Sequence, residues 1–258
     1  MGGQLQLTLL GGLQVSQDGV PLASFVYRKS LALLCYLAVT GRPRSREALA
    51  ALFWGETTGI NAQASLRKVL ADLRQHVASH LIITRRQAGF DREAPYLLDV
   101  EAFHRQVDKA VTQRASPLAD DGVGALAEAV EWYQGDFLEG FYVRGAPAFE
   151  EWVLLQRERL RLSMAQALHR LARHYTACRR YSLAIEYTAR LQALEPGQEE
   201  VYRQMMLLLA VTGQQGAALR QYPICRQALA KELGVEPSEQ TRVLYERILS
   251  GDELLWPS

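Results

Sequence analysis

At 258 residues the chain has room for two domains of about 100–150 residues, each with its own core. Hydrophobic residues at 48% and charged residues at 22% exclude a disordered polymer. A formal net charge of +1 excludes a uniformly polybasic binder, but the charge is uneven: residues 1–99 hold 11 Lys/Arg against 7 Asp/Glu, and residues 100–258 hold 18 against 21.

Cys35, Cys178 and Cys225 are far apart, odd in number and each set in an apolar helical pattern. That argues for a reducing compartment and against a disulfide framework. The longest apolar run, Leu31 to Val39, is too short to span a bilayer and starts too far into the chain for a leader, so it reads as a buried helix. A cytoplasmic protein with no membrane association is the expectation.

In chain order, Gln4–Leu9 alternates apolar and polar residues, and Leu13–Ser16 continues the alternation after Gly11–Gly12. Two short antiparallel strands are predicted there. From Tyr27 the period becomes helical, with Leu31, Leu34, Cys35 and Ala38 on one face and Gly41 and Pro43 as the stop. Ser45 reads as the N-cap of a second helix that carries Leu49, Leu52 and Phe53 and ends at Gly55. A loop, Trp54–Ile60, leads to a third helix over 61–77. Leu81–Thr84, Ala88–Phe90 and Tyr96–Leu98 read as short strands joined by tight turns.

On a wheel of about 100° per residue, Leu66, Val69, Leu70, Leu73 and Val77 of the third helix converge on a core face. The opposite face carries Asn61, Ala64, Lys68, Ala71, Asp72 and Gln75, with Arg67 and Arg74 at one margin and Ser65 near the other. Small and hydrogen-bonding residues alternate there, so the face can approach another surface closely. Across 61–86 the bases Arg67, Lys68, Arg74, Arg85 and Arg86 are opposed only by Asp72. Three helices followed by a hairpin with two arginines at its turn form a winged helix-turn-helix pattern, suited to phosphate and base contact. Arg28 and Lys29, which open the first helix, are further candidates for phosphate.

After Asp99 the strand signal vanishes. Helical periods follow at 101–114, 120–134, 148–176, 181–194, 198–212, 215–232 and 238–250. An offset of 34 superposes Ala184 on Ala218, Leu171 on Met205, Tyr175 on Leu209 and Leu191 on Cys225. That is the tetratricopeptide period in degenerate form, and stacked helix pairs of this kind bind partners rather than transform them. The predicted fold class is thus mainly α: a winged helix-turn-helix with short β-strands over 1–99, then an all-α tetratricopeptide-like domain over 100–258.

The segments AQASLRKVLADLRQHV (62–77), LIITRRQAGF (81–90) and YLLDVEAFHRQV (96–107) resemble the OmpR-like winged helix of SARP-type activators. YQGDFLEGF (133–141), FEEWVLLQRERL (149–160), RRYSLAIEYTARLQALEP (179–196) and KELGVEPSEQTRVLYERIL (231–249) are similar to the bacterial transcriptional activator domain. The resemblance implies an activator that binds repeats in double-stranded promoter DNA and recruits RNA polymerase. It implies that the third helix enters the major groove, that the wing at Arg85 and Arg86 meets the backbone, and that Trp54, Glu56, Thr57 and Thr58 contact polymerase. Positions 72 and 75 are commonly basic in such relatives; here Asp72 suits a cytosine amino group and Gln75 suits adenine. A dimer on DNA, and a protein or small-molecule ligand on the helical domain, fit the same class.

Other features carry less. His76 and His80 have i, i+4 spacing but no further ligand, and read as two surface histidines at a helix end; no metal or cofactor is expected. No phosphate loop, GxSxG elbow or dinucleotide fingerprint occurs, so the chain is not expected to be an enzyme. The aromatic run Trp132, Tyr133, Phe137, Phe141, Tyr142, Phe149 and Trp152 reads as core at the domain junction. The C-terminal GDELLWPS fits no helix pattern, and such sequences often stand at the front of longer proteins. The competing reading is a tetratricopeptide-type interaction module of a larger signalling protein, favoured by Asp72 and the modest charge.

Overall fold

The computed structural model describes residues 3–56, 59–111 and 118–251. Its contacts divide into two compact units: residues up to 106 together with 131–160, and residues 107–130 together with those from 161 onward. The 131–160 stretch, expected within the helical half, falls in the first unit. Its aromatic residues are what assign it to the N-terminal core.

The first unit opens with β1 (Leu5–Thr8), β2 (Gln14–Gln17) and β3 (Val20–Pro21), then α1 (Arg28–Thr40), β4 (Arg44–Ser45), α2 (Arg46–Trp54) and α3 (Gly59–Val77). A 3-10 turn (Ala78–His80), β5 (Leu81–Ile83), β6 (Gln87–Phe90) and β7 (Tyr96–Leu98) follow, and α4 (Asp99–Val111) begins directly after β7. One sheet runs β3-β2-β1-β7 and the other β4-β6-β5. The first two strands pair antiparallel as their alternation predicts, with Leu7 opposite Val15. β7 does not extend the wing hairpin: it pairs parallel to β1, with Leu7 opposite Leu98. The two-residue strands β3 and β4 are too short to leave a periodic signal.

Alternation puts Leu5, Leu7 and Leu9 wholly inside, and Leu33, Leu34 and Leu37 of α1, Phe53 of α2 and the apolar stripe of α3 are buried as well. α1 ends where Gly41 takes a left-handed φ of 63° and its N–H closes on the Leu37 carbonyl. α2 starts at Ser45, whose hydroxyl accepts from the Ala48 amide as its position predicts. The 131–160 stretch joins this core through Phe149, which stacks on Phe53 at 5.0 Å, and Trp152, which meets Tyr36 at 4.9 Å. Backbone bonds from Leu138 N–H to Leu9 O and from Glu139 N–H to Gly11 O fix it to the end of β1.

In the second unit lie most of α5 (Asp120–Trp132), the later part of α6 (Pro147–Ala177), α7 (Tyr181–Leu194), α8 (Glu199–Val211), α9 (Gln215–Glu232) and α10 (Glu239–Ser250). The helical periods in the sequence match these within a few residues, and Pro147, expected as a break, is the first residue of α6. All eight residues superposed by the 34-residue offset are buried. The turns obey it too: Arg180 N–H bonds Tyr175 O, and Gln214 N–H bonds Leu209 O. Arg179 and Gly213, also 34 apart, both hold positive φ, 55° and 75°. The α6–α7 and α8–α9 pairs are one motif repeated.

Candidate nucleic-acid interface

The stripe Leu66, Val69, Leu70, Leu73 and Val77 is buried as the wheel predicts, each side chain contributing roughly 1.5–3 kcal/mol relative to exposure. Asn61, Arg67, Lys68, Ala71, Arg74 and Gln75 stand exposed on the other side of α3, Ala64 and Ser65 are half-buried, and Ile60, 84% exposed, opens the same helix. Among the described residues, none of Arg67, Lys68 and Arg74 forms an ion pair; Arg67 makes only a long 3.4 Å bond to its own helix at Gln63 O. Their charge is therefore available to an outside anion.

Asp72 is a correction to the base-reading assignment. Its residue is only 4% exposed. The carboxylate accepts from the Ser30 hydroxyl at 2.5 Å and from the amides of Val26 at 3.3 Å and Tyr27 at 3.4 Å. Tyr27 stands at the N-cap of α1 and its side chain makes no cap bond; Asp72 reaches across from α3 to the two amides that lead into that helix and to the Ser30 hydroxyl in its first turn, placing a negative charge beside its positive end. The wheel places Asp72 correctly around α3, but that flank is covered by the start of α1. A carboxylate so occupied is not offered to a base.

The wing is built by its turn. Thr84 Oγ1 accepts from the amides of Arg86 at 3.3 Å and Gln87 at 3.0 Å, and Thr84 N–H closes on Gln87 O. Arg85 and Arg86 are thereby held exposed at the tip of the β5–β6 hairpin. Gly89 of β6 passes so close to Pro43 that a Cβ would lie 3.1 Å from the Pro43 Cα. That approach lets β4 pair with β6, Ser45 opposite Gln87, and Arg46 N–H bonds Arg86 O at 2.9 Å. A cleft of about 430 Å³ results, lined by Ser45, Arg46, Glu47, Gln63, Leu66, Arg67, Arg85, Arg86 and Gln87. Arg46 and its neighbour Arg44 were missed from sequence; the run Arg42-Pro43-Arg44-Ser45-Arg46 is the charge signal that would have found them.

Two candidates for phosphate are committed elsewhere. Lys29 Nζ donates to Phe53 O at 2.6 Å and Gly145 O at 3.0 Å and lies 4.7 Å over the Trp54 ring. Burial lowers its pKa, with the Glu56 charge acting in the opposite direction. Lys29 is a fastener rather than a phosphate ligand. Arg28 remains exposed, but its Nε donates to Tyr142 O at 2.7 Å and its guanidinium lies 4.7 Å over Phe141. Trp54 is half-buried against Phe53, whereas Glu56 is exposed; Thr57 and Thr58 lie outside the described residues.

The histidines are not a surface pair. α3 ends at Val77, so His76 and His80 share no helix. His80 is fully buried, with Nε2 3.0 Å from Pro95 O. His76 is half-buried beside Phe25 at 4.7 Å between ring centroids. Cys178, expected within a helical pattern, is exposed just after α6, while Cys35 and Cys225 are buried. Of the aromatic run, Phe137 and Phe149 are wholly buried and Tyr142 is 61% exposed.

A winged helix with an exposed cationic face, in a chain that continues into repeated helix pairs, defines a class of bacterial regulator. The bacterial transcriptional activator domain model matches residues 98–249, and the chain belongs to that family, whose members include the SARP-type activators. It is 26% identical over 251 residues to the transcriptional regulatory protein MoaR1 of Mycobacterium tuberculosis, a match that covers 96% of this chain and 80% of MoaR1. It is 27% identical over 261 residues to the regulatory protein AfsR of Streptomyces coelicolor, covering 98% of this chain but 25% of AfsR. Among solved structures, Mycobacterium tuberculosis EmbR in complex with a low-affinity phosphopeptide has the same fold: TM-score 0.71, 24% identity, 98% of this chain and 66% of that one. The family is one of transcriptional regulators rather than enzymes. No described helix is long and apolar enough to cross a membrane.

Proposed function

We propose that this regulator binds double-stranded promoter DNA in a sequence-specific way and activates transcription by recruiting RNA polymerase. The observation that carries the reading is the set of exposed cations on two adjoining elements, Arg67, Lys68 and Arg74 on α3 with Arg85 and Arg86 on the wing, none ion-paired among the described residues. Major-groove entry suits α3, whose exposed face pairs Lys68 and Gln75, able to donate to base edges, with the small Ala64 and Ala71. The wing arginines suit backbone phosphate. Polymerase contact belongs to the segment between α2 and α3, through Glu56, Thr57 and Thr58, because a loop leading into the reading helix lies beside bound DNA. The stacked helix pairs are the surface for a protein or small-molecule partner. Such an activator works in the cytoplasm.

Salt-titrated duplex binding tests the reading. Each phosphate contact contributes about 0.9 to the slope of log affinity against log salt. Arg85→Ala combined with Arg86→Ala should therefore flatten the slope by about 0.9–1.8 and weaken binding to all sequences alike. Unchanged slope and affinity would remove the wing from the interface.

A further inference from the structure

The cleft between the wing, α3 and the first turn of α2 brings together side chains that a reading of α3 and the wing alone does not connect. Arg46 lines it from α2, Arg67 from α3 and Arg85 and Arg86 from the hairpin, with Glu47 as the one acidic side chain in the lining. None of the four arginines is ion-paired among the described residues, and Glu47 is exposed rather than bridged to them. Four guanidiniums converging on about 430 Å³ against one carboxylate repel each other unless an anion joins them. The arrangement is held in advance: Arg46 N–H bonds Arg86 O, the wing turn is tied by Thr84, and Ser45 is fixed by pairing and by its own cap. The Ser45 hydroxyl occupies the Ala48 amide and Arg46 N–H is bonded to Arg86 O, so the arginine side chains carry the site.

We infer that this cleft seats a backbone phosphate of duplex DNA, with Arg46 as a phosphate ligand and Glu47 as a counter-charge that limits affinity for arbitrary sequences. The inference rests on the proposed DNA-binding function. A duplex backbone is favoured over a free anion because the cleft is continuous, through Gln63 and Arg67, with the exposed face of α3, where bases would lie. Guanidinium suits the role through its planar, forked donors. Glu47 opposes it by repelling phosphate in the same space, most strongly where no base contact repays the approach.

The whole chain and two variants, Arg46→Ala and Glu47→Gln, are titrated with a fluorescent duplex from the region upstream of the chain's own operon and with an unrelated duplex, across a salt series; inorganic phosphate is titrated separately by calorimetry. Arg46→Ala should flatten the salt slope by about 0.9 and weaken both duplexes by about tenfold, at unchanged melting temperature. Glu47→Gln should tighten the unrelated duplex more than the operon duplex, although it removes a favourable charge from the first turn of α2, an effect that structural damage would not produce. Wild-type slope and affinity in Arg46→Ala, with normal duplex binding by the wild type, overturn the inference and leave the function standing. Absence of duplex binding by the wild type overturns both. Saturable inorganic phosphate binding that persists when duplex is bound makes the cleft a small-anion site and also overturns the inference.

Discussion

At the scale of single residues, the instructive case is a carboxylate that sequence reasoning placed on the wrong surface. The 3.6-residue period orders side chains around α3 but carries no information about what covers each flank. Asp72 falls outside the apolar stripe, beside the segment that leads into α1, where the Val26 and Tyr27 amides and the Ser30 hydroxyl donate to it. Replacing it by alanine would leave the fully buried Ser30 hydroxyl and the amides of Val26 and Tyr27 without their partner. Asp72→Ala should therefore cost on the order of 2–4 kcal/mol in denaturant unfolding. Stability equal to wild type would contradict the supporting role of the Asp72 carboxylate. Arg28 and Lys29 teach the same lesson from the other direction: a basic pair at a helix start looks like a phosphate site until the carbonyls of 142 and 145 are found beside it.

Asp99 extends the residue-scale account to pH. Burial raises its carboxyl above the ordinary range, although the amides of Leu10, Leu9 and Val100 pull the other way. The folded chain then holds this proton more tightly than the unfolded chain does. Stability from this group is fully present below the ordinary carboxylate pKa and declines as pH rises through the raised one. Asp99→Asn should remove that part of the slope of unfolding free energy against pH, whatever its effect on overall stability. An identical slope in wild type and variant would contradict the assignment.

At the scale of elements, most boundaries could be read because their punctuation is local: Ser45 caps α2 and Gly41 closes α1. The 34-residue repeat was also readable, since small and apolar residues recur at matching depths in α6–α7 and α8–α9. The strand at Tyr96–Leu98 was readable as well, but not its partner: the parallel pairing of β7 with β1 joins residues about ninety apart and leaves no nearby signature. The repeat yields a test of its own. Arg179 and Gly213 occupy equivalent turn positions with φ of 55° and 75°. A side chain in that left-handed region costs roughly 1–2 kcal/mol, which glycine avoids. Gly213→Ala should destabilise by about 1 kcal/mol, and Arg179→Gly should be neutral or stabilising in thermal unfolding. The opposite ordering would break the equivalence of the two turns.

At the scale of the whole molecule, the core under the winged helix draws on residues far beyond it in sequence. Phe149 packs on Phe53, Gly145 O holds Lys29, and Leu138 is bonded to the end of β1. The 131–160 stretch thus packs with α1 and α2 in the first contact unit, although the family model that covers it begins at residue 98. Alternation and helical period signal where each element lies, and the uneven charge signals the basic half. The partner of the aromatic run was hidden because packing between distant segments has no period. In the proposed function the exposed face of α3 reads duplex DNA while Asp72 supports the helix from inside. Selection from randomised duplexes with the whole chain, Lys68→Ala, Gln75→Ala and Asp72→Asn tests it most directly. The wild-type consensus should relax at particular base pairs in the Lys68 and Gln75 variants, at a cost on the order of 1–3 kcal/mol for each lost contact, and stay unchanged in Asp72→Asn. No enrichment by the wild type, or an identical consensus from the Lys68 and Gln75 variants, would contradict it.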